Sequence, residues 1–279
     1  MVQVAGELRV WSVNAMIVIG EKINGAIPSV GKAITEKDKE AIRELAKRQT
    51  DAGADYLDVC AGTAPDIELQ TLEWLVENVE AAVDTPICID SPDVDILIKI
   101  IPSICKEGII NSVSEERDKC ERIFPLVADT GWKVIALTCD DGGIPSGIDK
   151  KVEIAGKMID KALGYGIAED RVFIDPLVFA LSAVGDALIS FIETMKLVKE
   201  KHKNVKFTSG LSNISFGMPC RKLINRNFLT LALYAGMDSA IMDPTNDDMF
   251  ATLLAAEVLL GRDKYHRKYN NAYRNGRIK

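Results

Sequence analysis

Short β-branched runs alternate along the chain with longer stretches whose apolar residues recur every three to four positions. That alternation is the signature of repeated βα units. Eight strands are predicted: Ile17–Gly20, Tyr56–Cys60, Ile87–Asp90, Ile109–Ser112, Lys133–Thr138, Val172–Asp175, Lys206–Ser209 and Ser239–Met242. Helices are predicted between and after them, at Thr35–Ala52, Asp66–Val83, Val94–Lys106, Lys119–Thr130, Lys150–Tyr165, Asp186–His202, Arg221–Ala235 and Asp247–Leu260. In the first, Ile42, Leu45 and Ala46 share one face, Thr35 is the expected N-cap with Asp38 in the capping-box region, and Gly53 is the expected C-cap. An open doubly wound sheet usually stops at five or six strands, so eight of each in alternation predict a closed α/β architecture, a (β/α)8 TIM barrel. No linker divides the chain, and a single domain over residues 1–279 is expected. Residues 1–15 are read as an N-terminal extension, a lid or hairpin beneath the barrel. Residues 262–279 are read as a basic, solvated C-terminal tail.

Composition fits one large core: 279 residues suit a single barrel, with 47% hydrophobic and 27% charged residues. The net charge of −7 argues against a phosphate-backbone footprint, so no nucleic-acid partner is expected. Six cysteines lie scattered without a CxxC pair, which fits a reduced, cytoplasmic protein. The first 30 residues lack the pattern of a signal peptide, no apolar run approaches a membrane span, and no membrane partner is expected.

A barrel's chemistry is carried at the C-terminal ends of its strands. There the sequence places Gly20-Glu21-Lys22-Ile23-Asn24, Asp90-Ser91, Asn111-Ser112, Asp175-Pro176 and Gly210-Leu211-Ser212-Asn213. Asp90, Asn111, Asp175 and Asn213 would converge on one mouth. Carboxylates accept from an amino group and a ring N–H, and amides donate to a carbonyl, so the set suits the edge of a flat heterocycle such as a pterin. Each residue taken alone could equally cap a helix or shape a turn. Glu21 reads equally as a mouth residue or as a surface partner of Lys22 or Arg43.

Other chemistries find no support. Two histidines, His202 and His266, sit in charged surroundings, so no metal site of His and Cys ligands is expected. Neither a GxSxG elbow nor a GxxxxGK[ST] loop occurs. Asp140-Asp141-Gly142-Gly143 carries two acids that would repel an anion and is read as a turn.

With these residues in view, the chain resembles the pterin-binding methyltransferases that serve corrinoid proteins, a family related to the folate domain of cobalamin-dependent methionine synthase and more distantly to dihydropteroate synthase. The resemblance runs through IGEKING at 19–25, GADYLD at 53–58, ICIDS at 87–91, IINS at 109–112, FIDPL at 173–177, GLSNISFG at 210–217 and LINRNFL at 223–229. It implies that Asp90, Asn111 and Asp175 hold the pterin ring and that Asn213 contacts its N5 region. It also implies that Arg221 lies toward the aminobenzoate-glutamate arm, whose negative charge it would favour. A homodimer is implied too. The implied substrates are tetrahydrofolate or 5-methyltetrahydrofolate and a corrinoid carried by a partner protein. Phe216 stands where one branch of the family has Gln, and the sequence around Cys60, DVCAGTAP, differs from a more familiar Asn-containing version.

The implied reaction moves a methyl group between N5 of tetrahydrofolate and cobalt. A tertiary amine is a poor leaving group, so N5 needs a hydrogen-bond or proton donor as its methyl departs. Asn213 is expected to follow N5 through both states, with Asp175 polarising the pterin through water, and orientation is expected to supply most of the rate. The GMPC continuation after GLSNISF and the basic tail resemble components of O-demethylase or glycine betaine demethylation systems, which implies transfer from methylcorrinoid to folate, and the reverse direction stays open. Two alternatives stand beside this reading. One is a dihydropteroate synthase-like enzyme, although its Ser-x-Arg-Pro-Gly and Lys-x-Arg-x-His motifs are missing. The other is a non-catalytic folate-binding subunit.

Overall fold

The computed structural model describes residues 15–279. The expected lid or hairpin therefore lies, except for Ala15, outside the described residues. Eight parallel strands follow one another around a ring: β1 (Ile17–Asn24), β2 (Tyr56–Cys60), β3 (Ile87–Asp90), β4 (Ile109–Glu115), β5 (Lys133–Asp140), β6 (Val172–Asp175), β7 (Lys206–Phe207) and β8 (Ser239–Met242). The β1–β8 ladder joins first to last. Between β7 and β8 the ring is closed by Asp238 N–H donating to the Phe207 carbonyl at 3.0 Å and Ile241 N–H donating to the Ser209 carbonyl at 2.9 Å. This is the expected TIM barrel.

The helices are α1 (Pro28–Thr35), α2 (Lys39–Asp51), α3 (Pro65–Glu80), α4 (Val94–Ile100), α5 (Lys119–Val127), α6 (Ile148–Gly164), α7 (Ala187–Lys201), α8 (Arg221–Tyr234), α9 (Asp247–Leu259) and α10 (Arg267–Arg274). Several ends shift, with β1 running on to Asn24, β4 to Glu115 and β5 to Asp140 while β7 stops at Phe207 and α4 at Ile100, and two larger features differ from the sequence reading. The segment expected as one helix from Thr35 is two helices: the Thr35 hydroxyl donates back to Gly31 and belongs to α1, while Asp38 caps α2 by accepting the Ala41 N–H at 3.1 Å. Gly53 does follow α2 in the left-handed conformation, with φ +95.

The second is the tail, which is a docked helix. Ala272 and Ile278 are buried against Leu254, and Asp263 accepts the N–H groups of Lys268 and Tyr269. Arg277 lies 3.3 Å from the Phe250 ring centroid and donates to the carbonyls of Ala52 and Pro244. A run of basic and tyrosine residues masked two small apolar anchors and one arginine that binds backbone.

Side chains alternate across each strand. Leu57 and Val59, Ile87 and Ile89, and Val172 and Ile174 pack outward with the helices, whereas Ile19, Cys88, Ile109, Ile135 and Phe173 fill the lumen. Continuing the inward set by two residues toward the C-terminal ends reaches Glu21, Asp90, Asn111, Leu137 and Asp175. The top layer of the lumen is therefore acidic.

Candidate active site

Register fixes the first half of this layer. On β2 and β3, Asp58 pairs with Cys88 and Cys60 with Asp90, so two carboxylates stand diagonally with a thiol opposite each. Both thiols hydrogen-bond the adjacent carboxylate, and those acids push both thiols above their ordinary range, after burial, which is the larger cause. Asp58 is 4% exposed and accepts the Asn111 side-chain N–H at 3.1 Å. Burial raises the pKa of Asp58, and the charge of Asp90 adds to it; burial also raises Asp90. Two acids this close titrate as a pair.

Asp58 was missed by sequence reading. It sits inside the run YLDVC, and the signal that could have found it is the inward phase it shares with Cys60.

Asp175, 6% exposed, ends β6; its Oδ1 accepts the Leu177 N–H at 2.8 Å, and the Gly210 N–H is a second donor. Burial pushes its pKa up to about 6 against these donors and the charge of Lys151.

Glu21 is settled as a mouth residue. β1 carries a bulge between Gly20 and Ile23, opposite Asp58, which sets the direction of Glu21 and Lys22. Neither alternative partner takes Glu21 in an ion pair: Lys22 pairs with Asp243 at 3.2 Å and Arg43 with Glu40. Burial raises Glu21 to about 7; Lys22 opposes this, Asp243 adds to it, and Arg221 opposes it. Glu21 lines a cavity of about 230 Å³ with Lys22, Ser212, Asp243 and Asn246.

Asn213 lies on the 3-10 turn Leu211–Ser215 that follows β7, exposed at the rim. A side-chain carbon at Gly210 would come within 2.9 Å of its amide nitrogen and push the amide aside. Arg221 opens α8 and is tied to the same turn: Nε donates to the Ser215 hydroxyl at 3.0 Å and Nη2 to the Ser212 carbonyl at 2.9 Å, with the exposed Phe216 ring 6.0 Å away. Asp90 and Asp175 thus end strands and Asn111 lies within β4, all three on the lumen side, while Asn213 and Arg221 stand on the rim beside them.

The model of the pterin binding enzymes matches residues 24–243, and the chain belongs to that family. Within it the chain is 49% identical, over 94% of its length and 98% of the relative's, to a methylcorrinoid:tetrahydrofolate methyltransferase of Eubacterium limosum. It is 33% identical to methionine synthase of Mycobacterium tuberculosis over 82% of this chain, which spans 20% of that protein. Among solved structures, dihydropteroate synthase from Xanthomonas albilineans in complex with 7,8-dihydropteroate superposes with a TM-score of 0.66 at 17% identity over 89% of this chain and 94% of that one. The Yersinia pestis dihydropteroate synthase gives 0.65 at 15%, over 89% and 94%. At these identities the likeness is one of fold.

Proposed function

We propose that this chain is a methyltransferase that moves a methyl group between N5 of tetrahydrofolate and the cobalt of a corrinoid protein, methylcorrinoid plus tetrahydrofolate to 5-methyltetrahydrofolate being the favoured direction. The observation that carries it is the acidic top layer of the lumen beside an exposed amide on the rim. Asp90, Asn111 and Asp175 face the hydrogen-bonding edge of the pterin, whose amino and ring N–H groups need acceptors. Asn213 serves N5, and Arg221 attracts the glutamate arm. The relative of E. limosum, matched nearly end to end, supports the substrate pair.

In this direction the N5 lone pair forms the new N–C bond while the cobalt–carbon bond breaks. The electron pair stays on cobalt, giving cobalt(I), and the N5 proton passes to water at the open rim. The Asn213 amide accepts from N5–H before transfer and donates to the methylated nitrogen afterward. Exposure of Asn213, Phe216 and Arg221 suits a pterin held shallowly, where a bulky corrinoid can approach. The test is anaerobic: protein, tetrahydrofolate and a methylated corrinoid are mixed and the spectrum followed. Growth of the cobalt(I) band that needs both the protein and the folate is expected; folate binding without any cobalt(I) favours a non-catalytic folate-binding subunit.

The functional unit is a homodimer in the cytoplasm. Leu223, Leu231 and Tyr234 lie exposed within one face of α8, an apolar surface suited to a second copy. Light scattering is expected to give twice the chain mass, and Leu231→Asp the chain mass itself; a wild-type monomer sinks the dimer. A reducing compartment suits Cys60 and Cys88, whose thiols hydrogen-bond the site carboxylates. Among the described residues, no helix is long and apolar enough to cross a membrane.

A further inference from the structure

The inward face of α6 is an apolar stripe of Ile154, Ala155, Met158, Ile159 and Ala162, and it begins with a lysine. Lys151 is 1% exposed, as buried as the aliphatic residues beyond it. An ammonium group taken out of water is destabilising without a partner, and methionine would fill the same volume without that cost. The partners found are a carbonyl and a ring: Nζ donates to the Leu177 carbonyl at 2.9 Å and stands 4.8 Å from the Phe179 ring centroid.

Leu177 is itself unusual, a leucine in the left-handed region with φ 54. It is held from both sides: its N–H donates to Asp175 Oδ1 at 2.8 Å, and its carbonyl accepts from Lys151. The loop continues to Leu181, whose N–H donates to the Ile214 carbonyl at 2.9 Å, and to Ser182, whose hydroxyl donates to the Phe216 carbonyl at 2.7 Å. One chain of contacts thus runs from α6 through the turn after β6 to the turn bearing Asn213.

We propose that Lys151 is a positioning residue for the pterin site: by holding the left-handed turn at Leu177 and placing its charge behind Asp175, it keeps that carboxylate aimed into the lumen and ionised. Lys151 makes no contact with the folate; it acts through Asp175, and the inference rests on the pterin-site reading of that residue. The charged group that faces Lys151 is Asp175, and the charged group that faces Asp175 is Lys151, from α6. β5 presents the Thr138 hydroxyl to the Asp175 carbonyl, and the loop after β7 presents the Gly210 N–H. Burial raises the carboxylate while the Leu177 and Gly210 N–H groups and the neighbouring cation lower it, so removing the cation raises it further.

The experiment compares wild type, Lys151→Met, Lys151→Gln and Lys151→Arg in two readouts: the Asp175 carboxyl carbon followed by NMR across pH, and the tetrahydrofolate dissociation constant across the same range. In Lys151→Met the midpoint of the Asp175 titration moves up by about one pH unit. Tetrahydrofolate affinity then falls about threefold near pH 6.5, approaches a tenfold loss below pH 5.5, and recovers toward pH 8.5. Lys151→Arg stays close to wild type. Lys151→Gln keeps a donor for Leu177 without the charge and repeats the titration shift if the methionine variant does not fold. An Asp175 titration unmoved in the neutral variants overturns the proposal, as does an equal affinity loss at every pH. A titration that moves while tetrahydrofolate affinity stays constant leaves Lys151's hold on Asp175 intact and sinks instead the assignment of Asp175 to the pterin.

Discussion

Asn213→Ala is expected to lower the rate of methyl transfer by about two to three orders of magnitude while the tetrahydrofolate dissociation constant changes by no more than about threefold. In the proposed site Asp90, Asn111 and Asp175 hold the pterin ring, and the rim amide would add little to that binding. At N5 it matters more, because the nitrogen changes its hydrogen-bonding role during transfer and a side-chain amide can serve both roles by offering its oxygen or its N–H. An interaction that strengthens only as charge develops acts on turnover and not on affinity. Stopped-flow measurement of cobalt(I) formation beside calorimetric titration of tetrahydrofolate separates the two. Equal losses in both make Asn213 a plain binding residue and remove it from the chemistry.

How much of this was legible in the sequence depends on whether a signal was local. The strand ends at Asp90 and Asp175 were read to the residue, because each β-branched run is cut by a polar group and a nearby proline. Asn213 and Arg221 were legible as positions along the chain, but the hydrogen bonds that tie Arg221 to the Ser212 carbonyl and the Ser215 hydroxyl depend on a tertiary turn. Glu21 was undecided because its direction is set by a bulge, and a bulge is a mismatch between two strands that neither sequence contains alone. Asp58 was overlooked for a related reason. In YLDVC it looks like the polar half of an alternating strand, and only the barrel tells which half faces in. Lys151 is not marked out in the sequence, since a buried lysine next to an exposed one, Lys150, has no local sign.

The same buried acids carry the second large expectation. Asp90→Asn weakens tetrahydrofolate binding by about 10- to 100-fold, the loss of one charge-assisted hydrogen bond to the pterin N–H groups. The protein without folate nevertheless becomes more stable. Burial holds the carboxyls of Asp58 and Asp90 above the range they have in the unfolded chain, and each raises the other's cost of ionising. For groups raised in the folded state, the stabilising contribution is complete below the unfolded carboxylate range and is lost as pH rises through the folded range. Wild type therefore loses stability on going from pH 5 to pH 8. The amide that replaces the Asp90 carboxyl has nothing to ionise and no longer repels the charge of Asp58, so the variant loses less. Its melting temperature should exceed that of wild type at pH 8 by a few degrees, with the gap narrowing toward pH 5. Thermal melts across that range, paired with calorimetry of tetrahydrofolate, test both halves. A variant that melts lower than wild type at pH 8 while binding folate normally would show that Asp90 is a structural residue of the barrel. A more stable barrel that binds folate poorly is the result expected where strain is kept at a site for its ligand.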